Sequence, residues 1–158
     1  MRYSERMENF GTQLARGICR HLRASGYATL TEFTLRTRRR VDVIALSTDG
    51  SIVIVEVKSS HADFRSDRKW DSYLDYCDQF FFAVPPEFSI DLIPQHCGLM
   101  RADAWDAAVI RPAPVHRLNA SRRKALTIRF ARAAGLRLQD RLDPALTLHP
   151  DQAGTPAG

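Results

Sequence analysis

The sequence predicts an α/β fold in which helices flank a central β-sheet. Apolar side chains recur at helical spacing over residues 4–24, which predicts an amphipathic helix. Two short β-branched segments, residues 41–46 and 52–58, stand on either side of an Asp-Gly turn and predict a β-hairpin. A basic helix is predicted over residues 122–138, after a cap at Asn119 or Ser121.

Length and composition favour one domain. The chain has 158 residues, 44% hydrophobic and 26% charged, as is ordinary for a globular protein. We expect the domain to span residues 1–142 and, because Pro and Gly are frequent later, a disordered tail over 143–158. The sequence has no apolar run that could span a membrane and no signal peptide at its start, so we expect a cytoplasmic protein.

The first helix and the strand after it each contain a glutamate of interest. Glu8 lies at the edge of the apolar stripe of the helix. Residues 27–35 predict a strand with Glu32 in its middle. This carboxylate either joins the acidic residues of the next strand or faces water and pairs with Arg36 or Arg38.

Three ionisable residues interrupt the hairpin strands: Asp42, Glu56 and Lys58. Both strands are otherwise apolar on each face, as in strands that are covered on both sides. Glu56 and Lys58 are two residues apart and project from one face. Asp42 precedes Glu56 by one strand, a turn and the return, so it can lie across the pair from Glu56. The spacing predicts two carboxylates and an amine at one edge.

The remaining segments complete the predicted layout. A loop and a helix are predicted over residues 59–78, and a buried strand at 80–84 is expected to complete the central sheet. Further short strands are expected at 98–101 and 107–110. Three cysteines without CxxC spacing predict reduced structural thiols.

The positive charge is unevenly distributed along the chain. Residues 1–110 carry 14 Lys and Arg against 15 Asp and Glu, whereas residues 111–158 carry 9 against 3. Such asymmetry suggests a polyanion such as nucleic acid, although a basic surface can also merely keep a domain soluble. Arg36, Arg38, Arg39 and Arg40 crowd the entry to the Asp42 strand and suit phosphate contacts, with a solvated basic turn as the alternative.

Asp42, Glu56, Val57 and Lys58 match the D…(D/E)-x-K signature of the PD-(D/E)xK nuclease superfamily, whose fold is restriction-endonuclease-like with a mixed central β-sheet. Together with segments between residues 39 and 85, they resemble the MmcB family of bacterial DNA-repair proteins. The resemblance covers residues 1–138. Val41 stands where the superfamily name has proline, at a position that varies among such folds.

The resemblance implies a DNA-repair protein that hydrolyses phosphodiester bonds with Mg²⁺ or Mn²⁺. Asp42 and Glu56 would hold the ion, and the Val57 carbonyl, Glu8 and Glu32 are further candidate ligands. Lys58 would orient or help deprotonate the attacking water and stabilise charge on the phosphate.

The resemblance also implies contacts with DNA and with other repair proteins, whereas the sequence does not indicate an oligomeric state. Residues expected to contact phosphates without reading sequence are Arg38, Arg39, Arg40, Lys69, Arg122, Arg123 and Lys124. One alternative is a DNA-binding repair accessory that keeps the fold and has lost cleavage. A third is a protein-interaction module.

Overall fold

The computed structural model describes residues 3–145, with side chains from Asn9 onward. The predicted disordered tail therefore lies mostly outside the described residues. The elements follow in the order α1 (Tyr3–Ala24), β1 (Ala28–Thr34), β2 (Arg40–Leu46), β3 (Ile52–Val57), α2 (His61–Ser66), a 3₁₀ helix (Trp70–Tyr76), β4 (Gln79–Val84), a 3₁₀ turn (Ile90–Leu92), β5 (Gly98–Ala102), β6 (Ala107–Arg111) and α3 (Ala120–Leu142).

All six strands form one mixed sheet, in the order in which they follow along the chain. β1, β2 and β3 are antiparallel neighbours, β3, β4 and β5 run parallel, and β6 returns antiparallel to β5. The predicted α/β architecture, a mixed central sheet flanked by helices, is confirmed. The expectation that β4 completes the sheet is wrong, because β5 and β6 extend it.

Helices cover the sheet on both faces. α1 covers one face, in a cluster that includes Leu14, Ile18, Leu22, Val43, Val53 and Val55. The 3₁₀ helix and α3 cover the other face, in a cluster that includes Tyr73, Cys77, Phe80, Phe82, Leu126 and Phe130. β3 is buried at all its positions. This two-sided burial explains why the hairpin strands are apolar on both faces.

In place of the loop and single helix expected over residues 59–78, this segment forms two short helices. α2 ends at Asp67, whose backbone is extended and whose Oδ1 accepts a hydrogen bond from Lys69 N at 2.7 Å. The side chain thus satisfies a backbone donor that a continuing helix would bond internally. A 3₁₀ helix follows instead of an α-helix.

Asp78 ties the start of β3 to α3. Its buried carboxylate accepts from Ile52 N, from Leu118 N and from both terminal nitrogens of Arg123, at 2.6 to 3.0 Å. Burial alone would raise the pKa of Asp78, but these hydrogen bonds hold it below its ordinary value. The packing position of α3 is therefore fixed by a buried ion pair.

Two further arginines of α3 bind the free edge of the sheet. Arg129 donates to the Thr34 carbonyl at 2.7 Å, and Arg137 donates to the carbonyls of Thr31 and Glu32 at 2.6 and 2.9 Å. β1 is an edge strand, so these carbonyls have no strand neighbour on that side. Part of the basic charge of α3 thus serves to cover the sheet edge.

Among the described helices, none is both long and apolar enough to cross a membrane.

Candidate active site

The two hairpin strands separate where their carboxylates lie. β2 and β3 pair as far as Val43 and Val55, and the ladder ends there. One residue further along, Asp42 lies opposite Glu56. In place of a backbone bond, Asp42 Oδ2 accepts from Val57 N at 2.8 Å. The Asp42 carboxylate is therefore fixed against β3 at the point where the sheet opens.

Glu56 is buried beside this carboxylate. The residue is only 5% exposed, and its Oε1 has no hydrogen-bond partner among the residues that the structure describes. Burial, followed by the negative charge of Asp42 and a hydrogen bond with it, raises the pKa of Glu56 to about 10. In the absence of a cation, Glu56 is therefore protonated at neutral pH.

Lys58 extends from the same face as Glu56 and is held by two aspartates. Its Nζ lies 2.6 Å from Asp67 Oδ2 and 4.0 Å from Asp63 Oδ1, and its side chain is 6% exposed. Burial lowers the pKa of Lys58, but the hydrogen bond to Asp67 and the nearby carboxylates outweigh burial and raise it above its ordinary value. Lys58 is thus a charged ammonium that donates hydrogen bonds and cannot accept a proton.

Asp63 and Asp67 were not among the site residues predicted from the sequence. Asp63 also accepts from Ser59 N, at 3.2 Å, and so holds the chain where it leaves β3. The available signal was the presence of two acidic residues shortly after the Glu56-Val57-Lys58 segment. Their role depends on α2 ending at Asp67, which returns the chain to the end of β3.

A cleft of about 650 Å³ opens onto these groups. Its floor is formed by the start of β2 and the end of β3, and α1 lines it with Gly11, Thr12, Ala15 and Arg16. Lys58 and Asp63 also line the cleft. The cleft thus places Arg16 of α1 and the two carboxylates around one cavity.

The residues at the floor of the cleft fit a hard divalent cation. No group of three or more His, Cys, Asp or Glu within the described chain is placed to hold a metal ion, so the candidate protein ligands are the two carboxylates of Asp42 and Glu56. Mg²⁺ is commonly held by one or two carboxylates, with water and substrate phosphates as its other ligands. A cation bound here would compensate for the cost of burying an ionised Glu56 carboxylate. It would also reduce the electrostatic repulsion between Glu56 and Asp42.

Comparison with known proteins decides the family. A family model described as "DNA repair protein MmcB-like" matches residues 2–145. The chain belongs to the MmcB-like family. The solved structure of the SPO1766 protein of unknown function from Silicibacter pomeroyi is 47% identical in sequence, covers 85% of this chain and 92% of its own, and superposes with a TM-score of 0.83. No curated protein matches the chain.

The two other glutamates considered as metal ligands in this MmcB-like chain have different outcomes. The Glu32 side chain is exposed and lies 3.7 Å from Arg40 Nη2, so it pairs with an arginine at the rim of the cleft. Its partner is neither Arg36 nor Arg38. The side chain of Glu8 lies outside the described residues.

The backbone around Glu32 is irregular. Glu32 has a φ of +48°, in the left-handed region, and the ladder between β1 and β2 passes over Glu32 and Asp42. A non-glycine residue in this region is uncommon and marks local strain, which tends to occur at functional sites. Regular pairing between β1 and β2 is therefore interrupted at the level of the Asp42 carboxylate.

The arginines before β2 diverge from one another. Arg40 lines the cleft, whereas Arg39 donates to the Lys69 carbonyl and to Ser72 Oγ and so fixes the start of the 3₁₀ helix. Arg38 is exposed in the preceding turn, with a φ of +67°. The Lys69 side chain is exposed nearby. Of the arginines expected to contact phosphates, Arg40 thus lines the cleft, Arg38 is exposed in a turn and Arg39 bonds to the protein itself.

The residues predicted to contact DNA at the start of α3 do not line the cleft. Arg123 is bonded to Asp78 and to the Gly50 carbonyl, and Arg122 donates to the Asp75 carbonyl while lying over the Tyr76 ring. These groups lie at the opposite end of β3 from Glu56. Lys124 is exposed at this same far end. The basic composition of α3 thus reflects its packing on the domain as well as its solvent-facing charge.

Proposed function

We propose that this MmcB-like protein is a metal-dependent deoxyribonuclease of the PD-(D/E)xK superfamily, with a restriction-endonuclease-like fold, that hydrolyses DNA phosphodiester bonds during repair. One observation supports this most strongly. The buried Glu56 oxygen, which has no hydrogen-bond partner within the described part of the chain, lies beside the Asp42 carboxylate, at an opening in the sheet and next to the ammonium group of Lys58. Membership of a DNA-repair family supports DNA as the substrate.

Mg²⁺ or Mn²⁺ is the cofactor that suits these oxygen ligands. Asp42 and Glu56 would hold the ion at the floor of the cleft. Bound there, it would supply positive charge beside the scissile phosphate and acidify a water molecule. The hydrogen bond from Val57 N keeps the Asp42 carboxylate in a fixed orientation for this task.

Lys58 would stabilise negative charge on the phosphate. Because Asp67 and Asp63 keep it as an ammonium, it can donate to a phosphate oxygen but cannot take a proton from water. Of the two roles implied by the resemblance, charge stabilisation therefore fits the geometry better. Arg40 and Arg16 at the rim of the cleft would position the DNA backbone without reading sequence.

A cleavage screen tests the nuclease proposal. Wild-type protein is incubated with Mg²⁺ or Mn²⁺ and a panel of duplex, flapped, branched and single-stranded DNAs. We expect cleavage of at least one substrate, its complete loss in Asp42→Asn and Glu56→Gln, and its retention in Glu32→Gln, which changes an exposed rim carboxylate. Equal cleavage by wild type and Glu56→Gln would refute the proposed active site.

The second candidate is a DNA-binding repair accessory without cleavage activity. It is favoured by the 2.6 Å bond between Lys58 and Asp67, which engages the amine with a partner other than substrate, and by the lack of a group of three or more potential metal ligands among the residues that the structure describes. On the nuclease proposal, Asp67 positions Lys58.

Asp67→Asn separates the two candidates. If Asp67 positions Lys58 for catalysis, kcat falls about 10- to 100-fold with little change in KM, and Asp67→Glu restores part of the rate. Cleavage that appears only in Asp67→Asn, with an inactive wild type, would instead show that the ion pair blocks the site.

A further inference from the structure

Trp105 is a surface residue that the proposed active site leaves without a role. It lies in the turn between β5 and β6 and is 67% exposed. A single exposed apolar side chain is common and carries no inference by itself. What distinguishes Trp105 is the set of groups arranged around its ring.

Two arginines of α1 lie against the indole. The guanidinium carbons of Arg16 and Arg20 are 5.2 and 5.1 Å from the ring centroid, within the range of cation–π contacts. Arg16 Nε also donates to the Ala104 carbonyl at 2.9 Å, which holds this arginine beside the turn. Even with both cations in place, most of the residue remains exposed to solvent.

The turn that carries Trp105 is built to hold it firmly. Asp103 Oδ1 accepts from Trp105 N and from Asp106 N, at 2.7 and 2.9 Å. The backbone of α1 touches this turn at Gly17, where an added Cβ would lie 2.1 Å from the Asp103 carbonyl oxygen. Only glycine permits so close an approach. The turn that carries the exposed indole is thus packed tightly against α1.

The cluster of Trp105, Arg16 and Arg20 adjoins the cleft through Arg16. Arg16 contacts the indole and also lines the cleft that contains Asp42 and Glu56. Between residues 9 and 24, α1 has three arginines and no carboxylate. The acidic groups that face the ring come from its own turn. Asp103 is engaged by backbone donors, and Asp106 accepts from Ala107 N and lies 3.9 Å from His21 Nδ1.

We propose that Trp105, Arg16 and Arg20 form a binding site for an unpaired nucleotide of single-stranded DNA next to the active-site cleft. The exposed indole offers a surface on which a base stacks, and the guanidinium groups are placed to bind the phosphates on either side of it. Base–aromatic stacking tolerates any sequence, because every base has a π face. The inference rests on the proposed function for its DNA substrate and narrows that substrate to DNA with an unpaired segment.

Binding measurements in EDTA test the site without any contribution from cleavage. Three ligands are compared: a blunt duplex, the same duplex with a short single-stranded overhang, and the overhang strand alone. We expect Trp105→Ala to weaken binding of the last two about 5- to 100-fold and to change blunt-duplex binding by less than about twofold. Trp105→Phe, which retains a ring, should fall in between. Val115→Ala, at a residue that is 63% exposed, is the control and should match wild type.

A fluorescence measurement locates the stacked base. The chain has two tryptophans, and Trp70 packs on Phe80 in the core. In Trp70→Phe, Trp105 is the only indole, and the single strand should quench its emission. Equal weakening of all three ligands by Trp105→Ala, no weakening, or absent quenching would each overturn the inference. Tighter binding of an RNA strand of the same sequence would overturn the assignment to DNA.

The nuclease proposal and the nucleotide site at Trp105 can be refuted independently of each other. Loss of overhang binding in Trp105→Ala together with a wild type that cleaves nothing would refute the nuclease and retain the nucleotide site. Conversely, the nuclease would be retained and the nucleotide site refuted if cleavage depends on Glu56 while Trp105→Ala changes neither cleavage nor DNA binding.

Discussion

Glu56 is the residue at which stability and proposed function conflict. Its pKa in the folded protein is about 10, against an ordinary value of 4.5, because of burial and the neighbouring Asp42. The folded protein therefore retains a proton that the unfolded chain releases above about pH 4.5. The stability that Glu56 contributes is complete below that pH and is lost as the pH rises through the folded-state pKa.

Glu56→Gln should therefore stabilise the protein in a pH-dependent way. Glutamine has the shape of the protonated acid and cannot ionise, so the variant avoids a loss of about 1.4 kcal/mol per pH unit. We expect it to exceed wild type by a few kcal/mol at pH 8 in EDTA and to differ little near pH 4.5. Urea unfolding at both pH values measures this.

The exposed carboxylate of Glu32 provides the control for that experiment. Glu32→Gln should leave stability within about 0.5 kcal/mol of wild type at both pH values. Mg²⁺ should raise the unfolding midpoint of wild type and not that of Glu56→Gln. A stability difference between wild type and Glu56→Gln that stays the same from pH 4.5 to pH 8 would contradict the shifted pKa.

At this scale the sequence predicts the central pair and misses its partners. Strand alternation and hairpin length are local properties, so they suffice to set Asp42 opposite Glu56. The bond between Lys58 and Asp67 depends on where α2 stops, and the pairing of Glu32 with Arg40 depends on a distorted strand. Neither feature follows from periodicity.

Among the elements, α3 shows how composition can mislead. Its basic residues suggest a DNA-binding face, yet Arg123, Arg129 and Arg137 bind groups of the domain itself. The reason is topological, because β1 is an edge strand and Asp78 is buried at the start of β4. Sequence patterns locate the helix well but do not show which strand it will cover.

Arg123→Met tests whether α3 is held by its ion pair. The change removes the partner of a buried carboxylate and leaves the Asp78 charge uncompensated, so we expect a loss of about 3 kcal/mol in the free energy of unfolding. Urea denaturation at pH 7 gives the value. Lys124→Met, at the next residue, is the matched control and should change stability by less than about 0.5 kcal/mol. Similar losses in both variants would mean that the ion pair adds nothing beyond ordinary surface charge.

For the whole molecule, the two long helices lie on opposite faces of the sheet and differ in their relation to the cleft. α1 lines the cleft, while the start of α3 lies at the far end of β3. Charge counts along the sequence place the basic excess in residues 111–158. Such counts do not show on which face of the sheet a segment packs. They therefore point to α3, whose first turn is remote from the carboxylates of Asp42 and Glu56. Arg16 of α1, which lines the cleft, is the better candidate for DNA contact.

The dependence of DNA affinity on salt shows whether DNA contacts the cleft or the far end of the sheet, near the start of α3. Each phosphate that a cation neutralises releases condensed counterions and contributes about −0.9 to the slope of log affinity against log salt on duplex DNA. Neutralising Arg16 and Arg40, which line the cleft, should therefore flatten the slope by up to about two units if both contact phosphate. Neutralising Arg117 and Lys124, which are exposed at the far end, removes the same charge and should leave the slope unchanged. The measurement is a titration of one duplex at several salt concentrations in EDTA, with each pair changed to glutamine. Equal flattening by both pairs would show that DNA responds to the overall charge of the protein, and flattening by the Arg117 and Lys124 pair alone would place the DNA at the far end of the sheet.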